Sequence, residues 1–130
     1  MTDQEALIKK LNLKTVEKTY VIHAPDNYQL AEISNVTSLD EIENEFNWVQ
    51  AFYSHEDDLT RDLPTLKDKM ASDGILWVCW PKRSANKGSD LNDTVVRSIG
   101  LVCGLVDTKV AAVDKTWSAL KFVYRLKDRK

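Results

Sequence analysis

The last third of this chain alternates strand-like and helix-like segments in an order that limits its fold to a few classes. The apolar run Ile75–Trp80 predicts a buried strand, and a proline followed by the basic loop Lys82–Ser84 ends it. Apolar residues at helical spacing then predict a helix from Asp90 to Cys103. The β-rich segments Val106–Val113 and Trp117–Arg125 come last, and about three residues separate them. Because so short a connection cannot make a parallel crossover, we predict that these two strands are antiparallel.

Two more strands are predicted in the first half of the chain. Thr19–His23 is rich in β-branched and aromatic residues and stops before Pro25. Trp48–Tyr53 is almost uninterruptedly apolar, as suits a central strand covered on both faces. A helical pattern of leucines follows from Asp57 to Met70. Since strands that alternate with helices favour a parallel sheet between helical layers, we predict a three-layer, Rossmann-like α/β fold whose mostly parallel sheet ends in the antiparallel hairpin.

Shorter patterns predict the connections between these elements. Asp26 is placed to cap a short helix that runs to Glu32. Ser38 and Glu41 have the spacing of a capping box, in which a hydroxyl and a carboxylate each satisfy a free amide at a helix start. The segment Ser72–Gly74 predicts a turn between the second helix and the strand at Ile75.

The size and charge of the chain exclude several classes of protein. Its 130 residues are the length of one domain, which we predict to span residues 1–130. A formal net charge of -2 argues against a dedicated nucleic-acid-binding protein, which normally has a basic face. No apolar run approaches the roughly 18 residues of a membrane helix, and Met1–Lys10 lacks the apolar core of a signal peptide. We therefore predict a cytoplasmic protein with neither a nucleic-acid nor a membrane partner.

Two segments resemble the signatures of one protein family. Gly74–Lys82 has the sequence GILWVCWPK, and Gly104–Val123 has the sequence GLVDTKVAAVDKTWSALKFV. Both are similar to motifs of a family of small, mostly bacterial proteins known only as a domain of unknown function. Asn27 stands where that family tends to have the glycine of a Pro-Asp-Gly-Tyr turn, and Asn is the next best residue for a left-handed backbone. The resemblance implies an α/β fold similar to that of S-adenosylmethionine methyltransferases, but no established activity and therefore no catalytic residues.

The residues that would bind the usual cofactor of such a fold are absent from this sequence. Methyltransferase and dinucleotide sites need a glycine-rich turn after the first strand, where the backbone approaches the cofactor closely. The chain has four glycines, and none lies between Val21 and Tyr28. Nor does an Asp or Glu end a second strand in a position to hold a ribose. Cys79 and Cys103 lie in apolar segments without partners at metal-ligand spacing. We predict no conventional cofactor, no metal and two buried thiols.

Three loops are predicted to meet at one edge of the sheet, because ligands of open α/β sheets bind outside the carboxyl ends of the parallel strands. Both histidines of the chain, His23 and His55, fall in these loops. Supported by Asp26 or Glu56, they are candidates for a general acid/base pair or a metal pair, since imidazole titrates near neutrality and ligates metals. The alternative is that both histidines are solvated or form hydrogen bonds at the margin of the core.

The third of these loops is the only dense cluster of basic residues, with Lys82, Arg83 and Lys87. A phosphate or carboxylate there would lie near the start of the helix predicted from Asp90. The alternative is a solvated loop without a ligand, because the carboxylates of Asp90 and Asp93 would repel an anion at that helix start. The candidate ligand-lining residues of the three loops are His23, Asp26, Asn27, Tyr28, His55, Trp80, Lys82, Arg83 and Ser84.

Two functions compete on these observations. The first is a non-catalytic binding module, without a conventional cofactor site, whose target is a small anionic ligand or a protein partner. The alternative is an enzyme, a diverged S-adenosylmethionine-dependent transferase that binds its cofactor through an atypical turn at Pro25–Tyr28. The absence of a glycine turn favours the binding module. The enzyme hypothesis predicts that S-adenosylhomocysteine stabilises the protein and that Asp26→Ala abolishes this effect.

Overall fold

The computed structural model describes residues 3–14, 17–83 and 88–128. Single-turn helices lie at Leu39–Glu41 and Leu126–Asp128. No helix in the described ranges is both long enough and apolar enough to span a membrane. The longer elements, in chain order, are α1 (Asp3–Lys10), β1 (Thr19–Ile22), β2 (Ser34–Val36), β3 (Phe46–Phe52), α2 (Glu56–Lys69), β4 (Met70–Pro81), α3 (Asp93–Cys103), β5 (Leu105–Ala112) and β6 (Trp117–Tyr124).

The strands form one sheet with the order β2-β1-β3-β4-β6-β5. The pairs β1–β2, β1–β3 and β3–β4 are parallel, and β6 runs antiparallel to both β4 and β5. The predicted fold class is therefore confirmed, including the antiparallel hairpin that ends the chain. The central strand predicted at Trp48–Tyr53 is β3, which is buried along almost its whole length.

Two apolar layers sandwich the sheet. On one face α2 and α3 bury Leu59, Leu63 and Val96 against the strands. On the other face the cover consists of α1 and the loop between β1 and β2, which bury Leu11 and Leu30. The second cover is unusual because a loop occupies the place where a helix normally connects two parallel strands.

The carboxyl end of α1 is held on the sheet by side chains from distant strands. The carbonyl oxygen of Leu11 accepts hydrogen bonds from the indole nitrogens of Trp48, at 2.9 Å, and Trp77, at 2.7 Å. Lys109 Nζ donates to the Lys10 carbonyl at 3.0 Å, so a cation lies at the negative end of the helix. These bonds satisfy carbonyls that a helix end otherwise leaves free, which fixes a helix too short to be stable alone.

The prediction of a short helix after Asp26 is wrong. Residues 23–33 form turns instead, in which the Tyr28 amide donates to the Pro25 carbonyl at 3.1 Å. Asn27 and Ala31 have φ angles of 63° and 49°, which are incompatible with a right-handed helix. The Gln29 side chain replaces helical bonds by donating to the Ala31 and Ile33 carbonyls.

The turn predicted at Ser72–Gly74 is also wrong, because these residues belong to β4. Phe46 pairs with Met70 and Trp48 pairs with Ile75, so β4 has extra residues opposite β3 at this point. A bulge of this kind absorbs the residues that suggested a turn. A Cβ added to Gly74 would lie 2.9 Å from the Phe46 carbonyl oxygen, which explains the glycine by the close approach of the two strands.

The third helix begins later than predicted. Asn92 is its N-cap and accepts a hydrogen bond from the Val95 amide at 2.9 Å. Asp90, the predicted start, instead accepts a hydrogen bond from the Glu56 amide at 2.8 Å. Its carboxylate thus lies at the positive end of α2 rather than that of α3.

Candidate functional site

The parallel strands bring the candidate loops to one edge of the sheet. His23 follows β1, Tyr53–Glu56 follows β3, and Lys82 with Arg83 follows β4. Ser84 and Lys87 lie outside the described residues. The strand order reverses at β1, since β2 lies on one side of it and β3 on the other. In α/β sheets the crevice at such a reversal is where ligands bind.

The turn after β1 has a glycine-like backbone without glycine. His23 has a φ angle of 58° and Asn27 one of 63°, both in the left-handed region. Asn tolerates this region well, whereas a left-handed conformation costs most other residues about 1–2 kcal/mol. The His23 amide also donates to the Val36 carbonyl at 3.3 Å, so the turn is tied to β2. Strained backbone held in this way is typical of functional sites.

Tyr28 fills the space beneath this turn. Its hydroxyl donates to Gln50 Oε1 at 2.7 Å, and its ring lies edge-on to Phe52 with ring centres 5.1 Å apart. Burial raises the pKa of the Tyr28 hydroxyl far above its ordinary range. Gln50 is fully buried and donates to Cys79 Sγ at 3.7 Å, while burial raises the pKa of that thiol. Tyr28 therefore anchors the loop. Cys79 is a buried thiol as predicted, whereas the prediction is wrong for Cys103, which is only half-buried at the end of α3.

His23 rests on a fixed aromatic ring at the end of β3. The ring centres of His23 and Tyr53 are 5.0 Å apart in an edge-to-face arrangement. The Tyr53 hydroxyl donates to Asp62 Oδ2 at 2.8 Å, and Arg61 Nε donates to the other oxygen of that carboxylate at 3.0 Å. Burial and the bond to Asp62 raise the pKa of Tyr53. This chain of contacts holds the exposed His23 imidazole beside the carboxyl ends of β1 and β3.

The second histidine lies elsewhere on the same edge. His55 is the residue before α2, is exposed, and makes no side-chain capping bond. In the described ranges no hydrogen bond or ring contact joins it to His23, and no three His, Cys, Asp or Glu side chains lie close enough to hold a metal ion. Asp26 and Asn27 are exposed on the turn. The structure thus gathers these residues at one edge without pairing the imidazoles.

Glu41 reaches the end of β2, where sequence reasoning found no carboxylate. Its Oε2 accepts hydrogen bonds from the amides of Thr37, at 2.8 Å, and Ser38, at 3.3 Å. The predicted capping box is confirmed, and the spacing of Ser38 and Glu41 was the signal that could have located this carboxylate. Carboxylates near this place in α/β nucleotide sites hold ribose hydroxyls.

The loop after β4 borders a separate cleft of about 730 Å³. Trp80 is buried at its base, whereas Lys82 is half-buried and Arg83 is exposed. These three candidates line this cleft, whereas His23 and Asn27 do not, although all five residues lie at the same edge of the sheet.

Comparison with known proteins connects this geometry to a fold family. No protein-family model matches the chain, and no curated protein sequence matches it. Among solved structures, an S-adenosylmethionine-dependent methyltransferase from Aquifex aeolicus is similar with a TM-score of 0.65 and 14% identity, over 92% of this chain and 88% of that one. A TehB-like S-adenosylmethionine-dependent methyltransferase from Corynebacterium glutamicum is similar with a TM-score of 0.59 and 10% identity, over 94% of this chain and 87% of that one.

A third similar structure contains the cofactor. The magnesium protoporphyrin IX methyltransferase from Synechocystis, with bound S-adenosylmethionine, has a TM-score of 0.54 and 12% identity over 72% of this chain. The chain spans only 46% of the length of that enzyme. The resemblance to a bacterial family of unknown function is not confirmed by these comparisons. The chain has the Rossmann-like fold of S-adenosylmethionine-dependent methyltransferases.

Proposed function

We propose that the crevice between β1 and β3 binds an S-adenosyl ligand and that the chain is a diverged S-adenosylmethionine-dependent transferase. The likeness to methyltransferase structures supports this enzyme hypothesis better than the non-catalytic one. The observation that carries the proposal is the left-handed backbone at His23 and Asn27. The turn keeps, at the strand-order reversal, the conformation for which glycines are normally used, although neither residue is a glycine.

The residues at the edge fit an adenosyl ligand in two respects. The carboxylate of Glu41 lies at the end of β2, where it can accept hydrogen bonds from ribose hydroxyls. Asn27 is exposed on the turn and offers an amide side chain in addition to the backbone. When bound, S-adenosylmethionine supplies an electrophilic methyl group.

The chain's own side chains would then act on the second substrate. His23 is oriented by Tyr53 and is exposed at the crevice, so an imidazole nitrogen of His23 is available to accept the proton of an acceptor group. Asp26 is exposed on the same turn, where its carboxylate is available to accept hydrogen bonds from the adenosyl ligand.

A second function is favoured by the loop that replaces the first connecting helix. Tyr28 is pinned to Gln50 beneath the turn, and residues 23–33 hold themselves by local hydrogen bonds. A loop closed in this way leaves less room for a cofactor than an open glycine turn does. In this second proposal the chain is a non-catalytic binding module for a small anionic ligand or a protein partner.

Thermal unfolding with and without millimolar S-adenosylhomocysteine distinguishes the two proposals. A ligand at about 100 times its dissociation constant stabilises by about 2.7 kcal/mol, which is a shift of several degrees for a domain of this size. We expect such a shift, and we expect Asp26→Ala to abolish it. The matched control Asp73→Ala changes an exposed carboxylate at the far end of the sheet and should retain the shift. No shift in the unmodified protein would refute the transferase proposal, and a shift that survives Asp26→Ala would refute the placement at this turn.

A further inference from the structure

The cleft beside the end of β4 has walls of opposite charge. Lys82 and Arg83 follow the end of β4, whereas Asp90 precedes α3 and Asp93 is its first residue, and all four line the cleft. The cleft measures about 730 Å³. Its base includes the buried ring of Trp80.

These opposite charges do not neutralise one another. In the part of the chain that the structure describes, ion pairs within 4.0 Å involve Arg61 and Arg97 only. Neither cation of the cleft therefore contacts either of its carboxylates. Asp90 is also held in place, because one of its oxygens accepts a hydrogen bond from the Glu56 amide at 2.8 Å. The cleft is thus lined by two cations and two carboxylates that form no ion pair with one another within 4.0 Å.

The charge pattern selects one class of ligand. A simple anion at Lys82 and Arg83 would also feel two nearby carboxylates, and a simple cation at Asp90 and Asp93 would feel two nearby cations, so attraction and repulsion largely cancel in each case. A molecule with a negative group at one end and an ammonium group at the other is attracted at both ends. Complementary charge of this kind determines specificity more than affinity.

We propose that this cleft is a binding site for a small zwitterion that has a carboxylate or phosphate at one end and an ammonium at the other. The anionic group lies toward Lys82 and Arg83, and the ammonium lies toward Asp90 and Asp93. The indole of Trp80 packs against the apolar middle of the ligand. This site differs from the adenosyl crevice, because none of its charged residues belongs to the turn after β1.

Three probes of similar length test the proposal by nuclear magnetic resonance titration of backbone amides. 6-Aminohexanoate carries both charges, hexanoate carries only the negative one, and hexylammonium carries only the positive one. We expect millimolar 6-aminohexanoate to shift the amide resonances of Lys82, Arg83 and residues 90–94. We expect the dissociation constants of the other two probes to be higher by a factor of about ten or more. Titration without S-adenosylhomocysteine makes the result independent of the transferase proposal.

Single variants separate the two ends of the site. Arg83→Gln and Asp93→Asn should each weaken 6-aminohexanoate about tenfold, because each removes one of the charges that attract it. Asp73→Asn, at the opposite edge of the sheet, should leave the titration unchanged. Equal binding of hexanoate would show a plain anion site and overturn the proposal, and so would the absence of any amide shift with 6-aminohexanoate.

Discussion

Gly100 lies on the face of α3 that packs against β6. A Cβ added at this position would lie 2.1 Å from Phe122 Cε1 and 2.4 Å from its Cζ, far inside contact distance. The Phe122 ring is fully buried and cannot move without disturbing the core. The glycine is therefore required by packing rather than by backbone conformation.

This contact predicts that Gly100→Ala is destabilising. Alanine favours a helix interior over glycine by about 1 kcal/mol, but overpacking a core typically costs about 1–3 kcal/mol. We expect a net loss of stability in urea unfolding. Ser98→Ala, at an exposed position of the same helix, provides the control and should change stability by only a few tenths of a kcal/mol. A Gly100→Ala protein as stable as the control would show that Phe122 does not occupy this place.

At the scale of elements, the loop between β1 and β2 depends on one buried hydrogen bond. Tyr28 and Gln50 are joined by it at 2.7 Å, and Gln50 has no exposed surface. An acceptor buried without its donor costs about 1–3 kcal/mol, whereas removal of both partners can be nearly neutral.

We therefore expect Tyr28→Phe to destabilise the protein by about 1–3 kcal/mol and the double variant Tyr28→Phe with Gln50→Met to recover part of that loss. Urea unfolding of the two single variants and the double variant measures the coupling. If the effects of the two substitutions simply add, the loop is held by its apolar contacts at Leu30 and Ile33 and not by this bond.

The sequence predicted the elements whose signals are local. Runs of apolar, β-branched and aromatic residues located β1, β3 and the final hairpin to within a few residues, because strands buried in a sheet leave such runs in the sequence. The β1–β2 loop was mistaken for a helix because Leu30 and Ile33 have helical spacing, whereas the bond that holds the loop joins Tyr28 to Gln50 of β3, a partner distant in the sequence. The bulge in β4 was missed for the same reason, since it is defined only by the partner strand.

At the scale of the whole molecule, the rule for parallel strands was sufficient to predict which loops share an edge. It could not predict that the loop after β4 lines a cleft to which the turn after β1 does not contribute. Glu41 reaches β2 from a single-turn helix, and Asp90 caps a helix far from it in the chain. The bond between Asp90 and the Glu56 amide is a tertiary contact that no local spacing encodes. The capping-box spacing did place Glu41, but the sequence did not show that β2 ends beside it.

The buried acidic groups predict how the stability of the whole protein depends on pH. Burial, with the bond to Asp62 for Tyr53, raises the pKa of Tyr28 and Tyr53 above the ordinary 10.0, and burial raises that of Cys79 above 9.0. Groups whose pKa is raised by folding stabilise fully below the unfolded pKa, and this contribution is lost as pH rises through the interval up to the folded pKa. Lys121 acts in the opposite direction, since burial lowers its pKa below 10.5 and stability is gained as pH rises toward that value.

Burial also raises the pKa of Cys103 and that of Tyr124, so five acidic groups oppose one lysine. The free energy of unfolding should therefore fall with rising alkalinity, beginning near pH 9.0, where free thiols titrate, and steepening above pH 10.0. Each group contributes a slope of about 1.4 kcal/mol per pH unit once the unfolded form has ionised and the folded form has not. Urea unfolding between neutral pH and 10.5 measures this curve. In Cys79→Ala the decline between pH 9.0 and 10.0 should be smaller, because Cys103 is then the only thiol with a raised pKa and the tyrosines contribute mainly above 10.0. A curve that stays flat to pH 10.5 would mean that the tyrosine hydroxyls and the thiol are open to solvent. It would contradict the conclusion that the buried Tyr28 side chain anchors the loop after β1.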